Sequence, residues 1–145
     1  MTKSYCINFF IGFLLTACTG SIRTDAVDFT QGFTDGNSKV WMVNKVLSPD
    51  GAYTMPEKLK KEVLVFYQSG GCFLTNLQKL SKGQGRKGRF ALDHEKQQVT
   101  LYFLGETREF AFEFADENNM MLYPLEGSQY TNAMELIPFP ELTEH

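Results

Sequence analysis

The sequence has few of the side chains that usually carry enzyme chemistry. It contains two histidines, His94 and His145, and three cysteines. Neither histidine has a second histidine, a cysteine or an acid at metal-ligand spacing on the same element, so no zinc site is expected. The nucleophile motif Gly-x-Ser-x-Gly does not occur, and a Ser–His–Asp triad would have to use His94 from a predicted turn. These absences predict a protein that is not an enzyme and holds no metal or cofactor.

Two further patterns resemble known functional motifs, a dinucleotide-binding loop and a pair of hydrolase carboxylates, but do not fit the geometry that those motifs need. Gly83, Gly85 and Gly88 match the dinucleotide fingerprint Gly-x-Gly-x-x-Gly, but that fingerprint requires a strand that turns into a helix. Here the glycines lead into a predicted strand, so a flexible loop is the better interpretation. Glu109 and Glu113 share one face of a predicted strand, about 13 Å apart at ~3.3 Å per residue. That is too far for a pair of hydrolase carboxylates, and we interpret both as a solvated face.

An excess of positive charge is also missing. The net charge of −3 gives no global attraction to nucleic acid, so no nucleic-acid partner is expected. The charges are nevertheless segregated: residues 58–96 hold nine Lys and Arg against three acids, and residues 97–145 hold nine acids against one base, Arg108. This pattern is typical of two solvated faces of one barrel. The alternative is a basic loop that docks an acidic partner or anionic headgroups.

The apolar run near the N-terminus is too short to span a membrane. Residues 7–17 form an apolar run of eleven after Lys3, which is within the range of a signal-peptide core and short of the ~20 residues of a spanning helix. The run ends in Leu-Thr-Ala-Cys at residues 15–18, which resembles the bacterial lipobox. The resemblance implies acyl chains such as palmitate on Cys18, removal of residues 1–17 as a lipoprotein signal peptide, and a membrane anchor outside the cytoplasm. The alternative is a plain secretory peptide.

Lipid attachment would also decide the state of the three cysteines. Cys6 lies in the segment expected to be removed, and Cys18 would carry the lipid. Cys72 is then left without a disulfide partner. We interpret it as a buried, small hydrophobic residue, with a reactive thiol as the alternative.

Residues 18–38 are expected to form a lipid-anchored tether. They are rich in Gly, Ser, Thr and Asp and lack the apolar spacing of a helix. Thr19 follows the lipidated position, and the resemblance to other lipoproteins then favours the outer membrane if the host is diderm, because the usual inner-membrane retention residue there is Asp. The expected location is the cell envelope, with two or three acyl chains holding the protein stably.

From residue 39 onward, short strands alternate with turn residues. The clearest alternation is in residues 108–115, and residues 54–61 resemble a capping box that opens a short helical turn. We predict strands at residues 39–47, 63–68, 72–80, 89–93, 98–104, 108–115, 120–125 and 130–137, with a less regular one at 51–55.

An open meander of these strands would expose two edges, so closure is favoured. The sequence therefore predicts an all-β fold, an antiparallel up-and-down meander closed into a small, about eight-stranded barrel with one short helical turn. The barrel domain is assigned to residues 39–140, and residues 141–145 to a tail.

Three short features of the barrel segment carry a family resemblance. Residues 38–41 (Ser-Lys-Val-Trp) open the first strand, residues 65–73 lead through glycines into a hairpin, and residues 88–90 (Gly-Arg-Phe) open a later strand. Over residues 36–138 this pattern resembles the lipocalin-like domains of bacterial lipoproteins. The resemblance implies a barrel that accepts a ligand, with Trp41 at one end of it. A generic core position is the alternative for Trp41.

The stripe of Phe110, Phe112 and Phe114 leaves two functions open. If it lines a cavity, the protein is an envelope lipoprotein that binds a small apolar ligand through residues that the sequence does not identify. If it fills the barrel, which is barely wide enough for its own side chains, the protein is a structural or interaction subunit of an envelope complex such as a secretion apparatus. A pocket of ~300 Å³ or more lined by the stripe would favour binding, and a filled interior would favour the interaction role.

The basic residues 79–89 provide a candidate docking element for the second function. They contain five positive charges, three glycines and no acid, so we expect a mobile, extended surface loop at one rim of the barrel. Lys82, Arg86 and Lys87 are its expected contact residues, and none of them is expected in the core.

Overall fold

A closed antiparallel β-barrel occupies most of the chain in the computed structural model, which describes residues 27–139. Within this range nine strands form one sheet: β1 (Ser38–Leu47), β2 (Tyr53–Thr54), β3 (Glu62–Tyr67), β4 (Gly71–Asn76), β5 (Arg86–Asp93), β6 (Gln98–Phe103), β7 (Glu106–Asp116), β8 (Asn119–Pro124) and β9 (Ala133–Pro138). Neighbouring ring strands follow chain order, and β9 pairs back with β1 to close the barrel. The eight-stranded ring consists of β1 and β3 to β9, while β2 pairs with the end of β1 beside it.

This architecture confirms the predicted all-β class, the antiparallel meander and its closure, and the barrel is compatible with a lipocalin-like fold. Alternation along the strands decides which side chains enter the interior. In β7, Phe110 and Phe112 are buried whereas Glu109 and Glu113 are exposed. The predicted stripe therefore faces inward, and the two glutamates lie on a solvated face as predicted.

The connection between β4 and β5 differs from the prediction. A strand was expected over residues 72–80, but β4 ends at Asn76 and the helix α2 (Leu77–Leu80) follows. The Asn76 side chain caps this helix by accepting a hydrogen bond from the Lys79 N–H at 2.8 Å, and asparagine is among the preferred N-cap residues. The leucines of α2 pack on an apolar cluster on the outer wall that contains Val63 and Val65, which explains why the chain turns back there.

Two further local predictions are corrected. The expected extended loop over residues 79–89 is much shorter, because α2 ends at Leu80 and β5 already begins at Arg86. The capping box at Thr54 is wrong: Thr54 belongs to β2, and the helical turn is a 3₁₀ helix at Lys58–Lys60 that has no side-chain cap.

A short helix precedes the barrel, α1 (Thr30–Thr34). It lies in the segment predicted as a tether, of which the structure describes residues 27–38. These residues pack on the barrel, because Phe33 belongs to the buried core. The rest of the tether, the predicted signal peptide and the tail at 141–145 lie outside the described residues. Among residues 27–139, none of the helices has the length and apolar character needed to cross a bilayer.

Candidate functional site at the barrel mouth

The end of the barrel where β1 begins, which we call the α1 end, is closed by aromatic side chains. Phe33 of α1 lies 5.0 Å from Phe112 and 5.4 Å from Phe114 between ring centroids, in edge-to-face contacts. Phe29 adds a ring 5.1 Å from Phe112. The helix packs closely against the Phe114 ring at Gly32, where a Cβ would lie 2.9 Å from that ring. These contacts fill the α1 end of the interior.

Trp41 and His94 hold α1 in this position. Trp41 is fully buried, and its Nε1–H donates a hydrogen bond to the Phe33 carbonyl at 3.2 Å. His94, between β5 and β6, accepts a hydrogen bond from the Phe29 N–H on Nδ1 at 3.2 Å and stacks on the Phe29 ring. Trp41 therefore lies in the core at one end of the barrel, and the contacts of His94 support the fold.

At the opposite end, which we call the mouth, the interior is polar and centred on Glu106. Arg86 donates a hydrogen bond to Oε2 of Glu106, Arg108 Nε donates to Oε1 at 2.7 Å, and the Tyr130 hydroxyl also donates to Oε1. The bond from Arg86 is the largest reason why the pKa of Glu106 lies below its ordinary value. Burial acts in the opposite direction, and Arg108 adds to the lowering.

Arg108 extends this cluster across the barrel to Glu62 on β3. Its Nη1 lies 3.6 Å from Glu62 Oε1, and its guanidinium carbon lies 4.8 Å from the centre of the Tyr130 ring. The Arg108 side chain is 11% exposed and that of Glu62 is 42% exposed. The mouth thus contains a fixed arginine beside a carboxylate that reaches solvent.

Two open cavities lie at the mouth on either side of Glu62. The first has a volume of about 300 Å³ and is lined by Glu62, Leu74, Thr75, Asn76, Lys79, Gln84, Gly85 and Arg86. The second, which we call the Arg108 cavity, has a volume of about 340 Å³ and is lined by Val46, Glu62, Arg108, Gln129, Tyr130, Thr131, Asn132 and Met134. Both volumes are at the lower end of the range of small-molecule sites, ~300–1,000 Å³.

The predicted phenylalanine stripe lines neither of these cavities. Phe110 and Phe112 are buried in the core, and Phe110 packs against Tyr130 at 5.9 Å between ring centroids. The stripe therefore fills the interior between the α1 end and the mouth.

The five basic residues of 79–89 are all exposed, but they do not share one environment. Lys82, Arg86 and Lys87 all reach solvent. Arg86 in addition forms an ion pair with Glu106, and its guanidinium lies 5.0 Å from the centre of the Phe103 ring. The prediction that Lys82, Arg86 and Lys87 lie outside the core is confirmed, although Arg86 is also bound to Glu106 at the mouth.

The cysteines divide between described and undescribed parts of the chain. Cys72 is buried on β4, and burial raises the pKa of its thiol to about 11, so it stays a neutral thiol at physiological pH. Its interpretation as a buried, small hydrophobic residue is confirmed. Cys18, the predicted site of lipid attachment, lies outside the described residues and stays a prediction.

The charged cluster is the part of the site that the sequence interpretation missed, although one signal pointed to it. Glu106 and Arg108 have the same parity as Phe110 in β7, so extending the alternation toward the start of the strand places both inside the barrel. Their partners Glu62 and Arg86 come from β3 and β5, and barrel closure brings them together.

Comparison with protein-family models, with curated proteins and with solved structures finds no significant match to this chain.

Proposed function

We propose that this chain is a lipid-anchored lipoprotein of the cell envelope whose lipocalin-like barrel binds a small ligand at its mouth. The observation that carries the proposal is the contrast between the two ends of the barrel. Phe29 and Phe33 fill the α1 end, whereas the mouth holds two open cavities around a fixed charged cluster. The proposed role is non-enzymatic and uses no cofactor.

The anchor proposal rests on the lipobox-like residues 15–18, and it has a consequence for the orientation of the barrel. The described chain begins at the α1 end, and residues 18–26 can span at most about 30 Å when fully extended. A lipid on Cys18 would therefore hold the α1 end toward the membrane, the outer membrane in a diderm host. The mouth would face away from that membrane, where it is accessible to solutes.

The character of the ligand follows from the cavity walls. The sequence predicted an apolar ligand in contact with the phenylalanine stripe, but that stripe belongs to the packed interior. The Arg108 cavity combines apolar walls, Val46 and Met134, with polar side chains such as Asn132. We therefore propose a ligand with both a polar and an apolar part.

The test is to identify small molecules that remain bound to the protein after purification from its native host. Thr131→Trp would obstruct the Arg108 cavity from an exposed position, and Asn118→Trp places the same side chain at the exposed turn of the α1 end. Native mass spectrometry should find a bound molecule on the wild type and on Asn118→Trp, and should lose it on Thr131→Trp. Equal retention by both variants, or no bound molecule on any of the three, would contradict binding at the mouth.

A second candidate function is an interaction subunit of an envelope complex, such as a secretion apparatus. It is favoured by the phenylalanine stripe, which fills the barrel interior, and by apolar side chains that project into solvent around the mouth: Leu104 is 99% exposed, Met55 65% and Leu59 58%. If they contact a partner, Leu59→Ser with Leu104→Ser should reduce cross-linking to an envelope protein in cells. Val27→Ser, at an exposed position near the α1 end, is the control and should leave the cross-link unchanged.

A further inference from the structure

We propose that the Arg108 cavity selects a small carboxylate with a short apolar tail, which displaces Glu62 from Arg108. The inference rests on the proposed function, because it names the ligand chemistry of the same mouth.

The first step concerns the donors that remain available on Arg108. A guanidinium has five N–H donors. Among residues 27–139, the hydrogen bond that Arg108 donates runs from Nε to Glu106 at 2.7 Å. Its contact with Glu62 is 3.6 Å long, which is beyond ordinary hydrogen-bond distance. The Nη edge of the guanidinium therefore has donors to offer to a ligand in the cavity that it lines.

The second step is the fixed position of that guanidinium. Glu106 holds Nε, and Glu106 is itself held by Arg86 and by the Tyr130 hydroxyl. The ring of Tyr130 lies beside the guanidinium carbon at 4.8 Å. Because Arg108 is already immobilised, binding an anion costs little side-chain entropy, and the planar fork suits a bidentate carboxylate.

The third step is the balance of charge. Arg86 and Arg108 carry two positive charges against the single negative charge of Glu106, so the fourth group, Glu62, brings the cluster to neutrality. Glu62 is the loosely held member: 42% of its side chain reaches solvent and its contact with Arg108 is 3.6 Å long, whereas Arg86, 44% exposed, donates a hydrogen bond to Glu106. A ligand carboxylate that replaces Glu62 keeps the cluster neutral while Glu62 turns into water. A neutral or cationic head group would not restore this balance.

The fourth step is the size of the apolar part. Val46 and Met134 form the apolar wall of the cavity, whose volume of about 340 Å³ lies near the lower limit for small-molecule sites. Because the phenylalanine core fills the barrel below, a long chain has no room to enter the interior. The cavity therefore fits a short tail.

The experiment compares hexanoate with hexanamide, which has the same tail and no charge, and with inorganic phosphate, which has charge and no tail. Binding to the full-length protein is followed at pH 7 by amide chemical-shift perturbation and by calorimetry. Hexanoate should bind with shifts centred on Arg108 and residues 129–134. Hexanamide and phosphate should bind at least about tenfold more weakly, as expected for loss of a charge-assisted hydrogen bond or of the apolar contact.

Two variants test the roles of the two charged residues in opposite directions. Glu62→Gln removes the competing charge and should tighten hexanoate binding by about three- to tenfold, whereas Arg108→Gln should weaken it by about tenfold or more. Lys87→Gln, on the exposed face of β5, is the matched control and should leave the affinity unchanged. Since Arg108→Gln can disturb the fold, the gain in Glu62→Gln is the decisive result.

The outcomes separate this inference from the proposed function. Hexanamide binding as tightly as hexanoate at the mouth would overturn the carboxylate and leave a small-ligand site in place. Phosphate binding as tightly would overturn the apolar tail. Unchanged affinity in Glu62→Gln would overturn the displacement of Glu62. If no test compound binds while native mass spectrometry still finds a molecule that Thr131→Trp excludes, the ligand chemistry named here is wrong and the mouth site stands.

Discussion

The hydroxyl of Tyr130 donates a hydrogen bond to Glu106, and this contact ties the connection between β8 and β9 to the first residue of β7. The same carboxylate accepts hydrogen bonds from Arg86 and Arg108. One acidic side chain therefore joins β5, β7 and the β8–β9 connection at the mouth.

Tyr130→Phe should therefore destabilise the protein while leaving the ring in place. Removing one hydrogen bond to a charged, half-buried acceptor is expected to cost about 1.5–3 kcal/mol. Urea denaturation of the variant should show this loss as a lower midpoint with an unchanged slope. Tyr102→Phe, whose ring faces solvent, is the control, and an equal effect of the two changes would argue against the Glu106 contact.

The lowered pKa of Glu106 predicts a specific pH dependence. Because its pKa in the folded state lies below the ordinary value of 4.5, ionised Glu106 contributes stability that is fully present above the unfolded pKa. That contribution is lost as the pH falls through the folded pKa. Glu106→Gln should thus be less stable than the wild type at pH 7, and the difference should shrink as denaturation is repeated at progressively lower pH below about 4.5. A difference that is constant with pH would contradict an ionised, arginine-bound Glu106.

Gly88 is expected to tolerate no side chain. A Cβ there would lie 2.4 Å from the Tyr102 carbonyl oxygen and 2.6 Å from the Phe103 ring, so the backbone of β6 would have to move. Gly88→Ala should cost about 1–3 kcal/mol in the free energy of unfolding. Gly71→Ala is the matched control, since the nearest atoms to its Cβ would be 3.7 Å away. Similar melting temperatures for the two variants would count against the close approach of β5 and β6.

Phe33 tests whether α1 is part of the folded domain. The side chain is fully buried among aromatic rings, so Phe33→Ala should reduce the free energy of unfolding by about 3–5 kcal/mol. Val27→Ala, at an exposed position just before α1, should change it by less than about 0.5 kcal/mol. If Phe33→Ala melts like the wild type, α1 does not pack on the barrel in solution.

Cys18 tests the proposed anchor. Cys18→Ser should abolish metabolic labelling with a radioactive fatty acid and leave an unprocessed or soluble protein, because the serine hydroxyl cannot form the thioether to the lipid. Cys6→Ser, inside the predicted signal peptide, should be labelled and processed like the wild type. Membrane-bound, labelled Cys18→Ser protein would show that the lipobox interpretation is incorrect.

The sequence predicted the barrel because its strands carry a strong local signal. In β7 the alternation of Phe110, Phe112 and Phe114 with exposed residues is visible without any knowledge of the partners. The helix α1 has no such signal, since its five residues contain a single large apolar side chain, Phe33. The helix forms because the Phe33 ring packs among the aromatic side chains at the α1 end of the barrel. Its formation therefore depends on tertiary contacts.

The charged cluster at the mouth is harder to predict from the sequence, because it also depends on tertiary contacts. A charged residue next to a turn, such as Arg86 or Glu62, is ordinarily solvated. Only the register of the closed ring shows that both reach the same carboxylate–guanidinium pair on β7. Charge alone therefore does not distinguish Arg86, which forms an ion pair with Glu106, from the other basic residues of 79–89.

If the chain is exported as proposed, the pairing of β1 with β9 has a consequence for its delivery across the membrane. Met42 pairs with Ile137 and Val43 with Leu136, so β1 keeps an open hydrogen-bonding edge until residues 133–138 have emerged. A chain exported from its N-terminus would expose that edge throughout translocation, and exposed edges pair readily with other strands. Closure also depends on contacts between residues far apart in the chain, which slows folding. We therefore expect the late-emerging segment to be the one whose truncation or stalled export causes aggregation or capture by envelope chaperones.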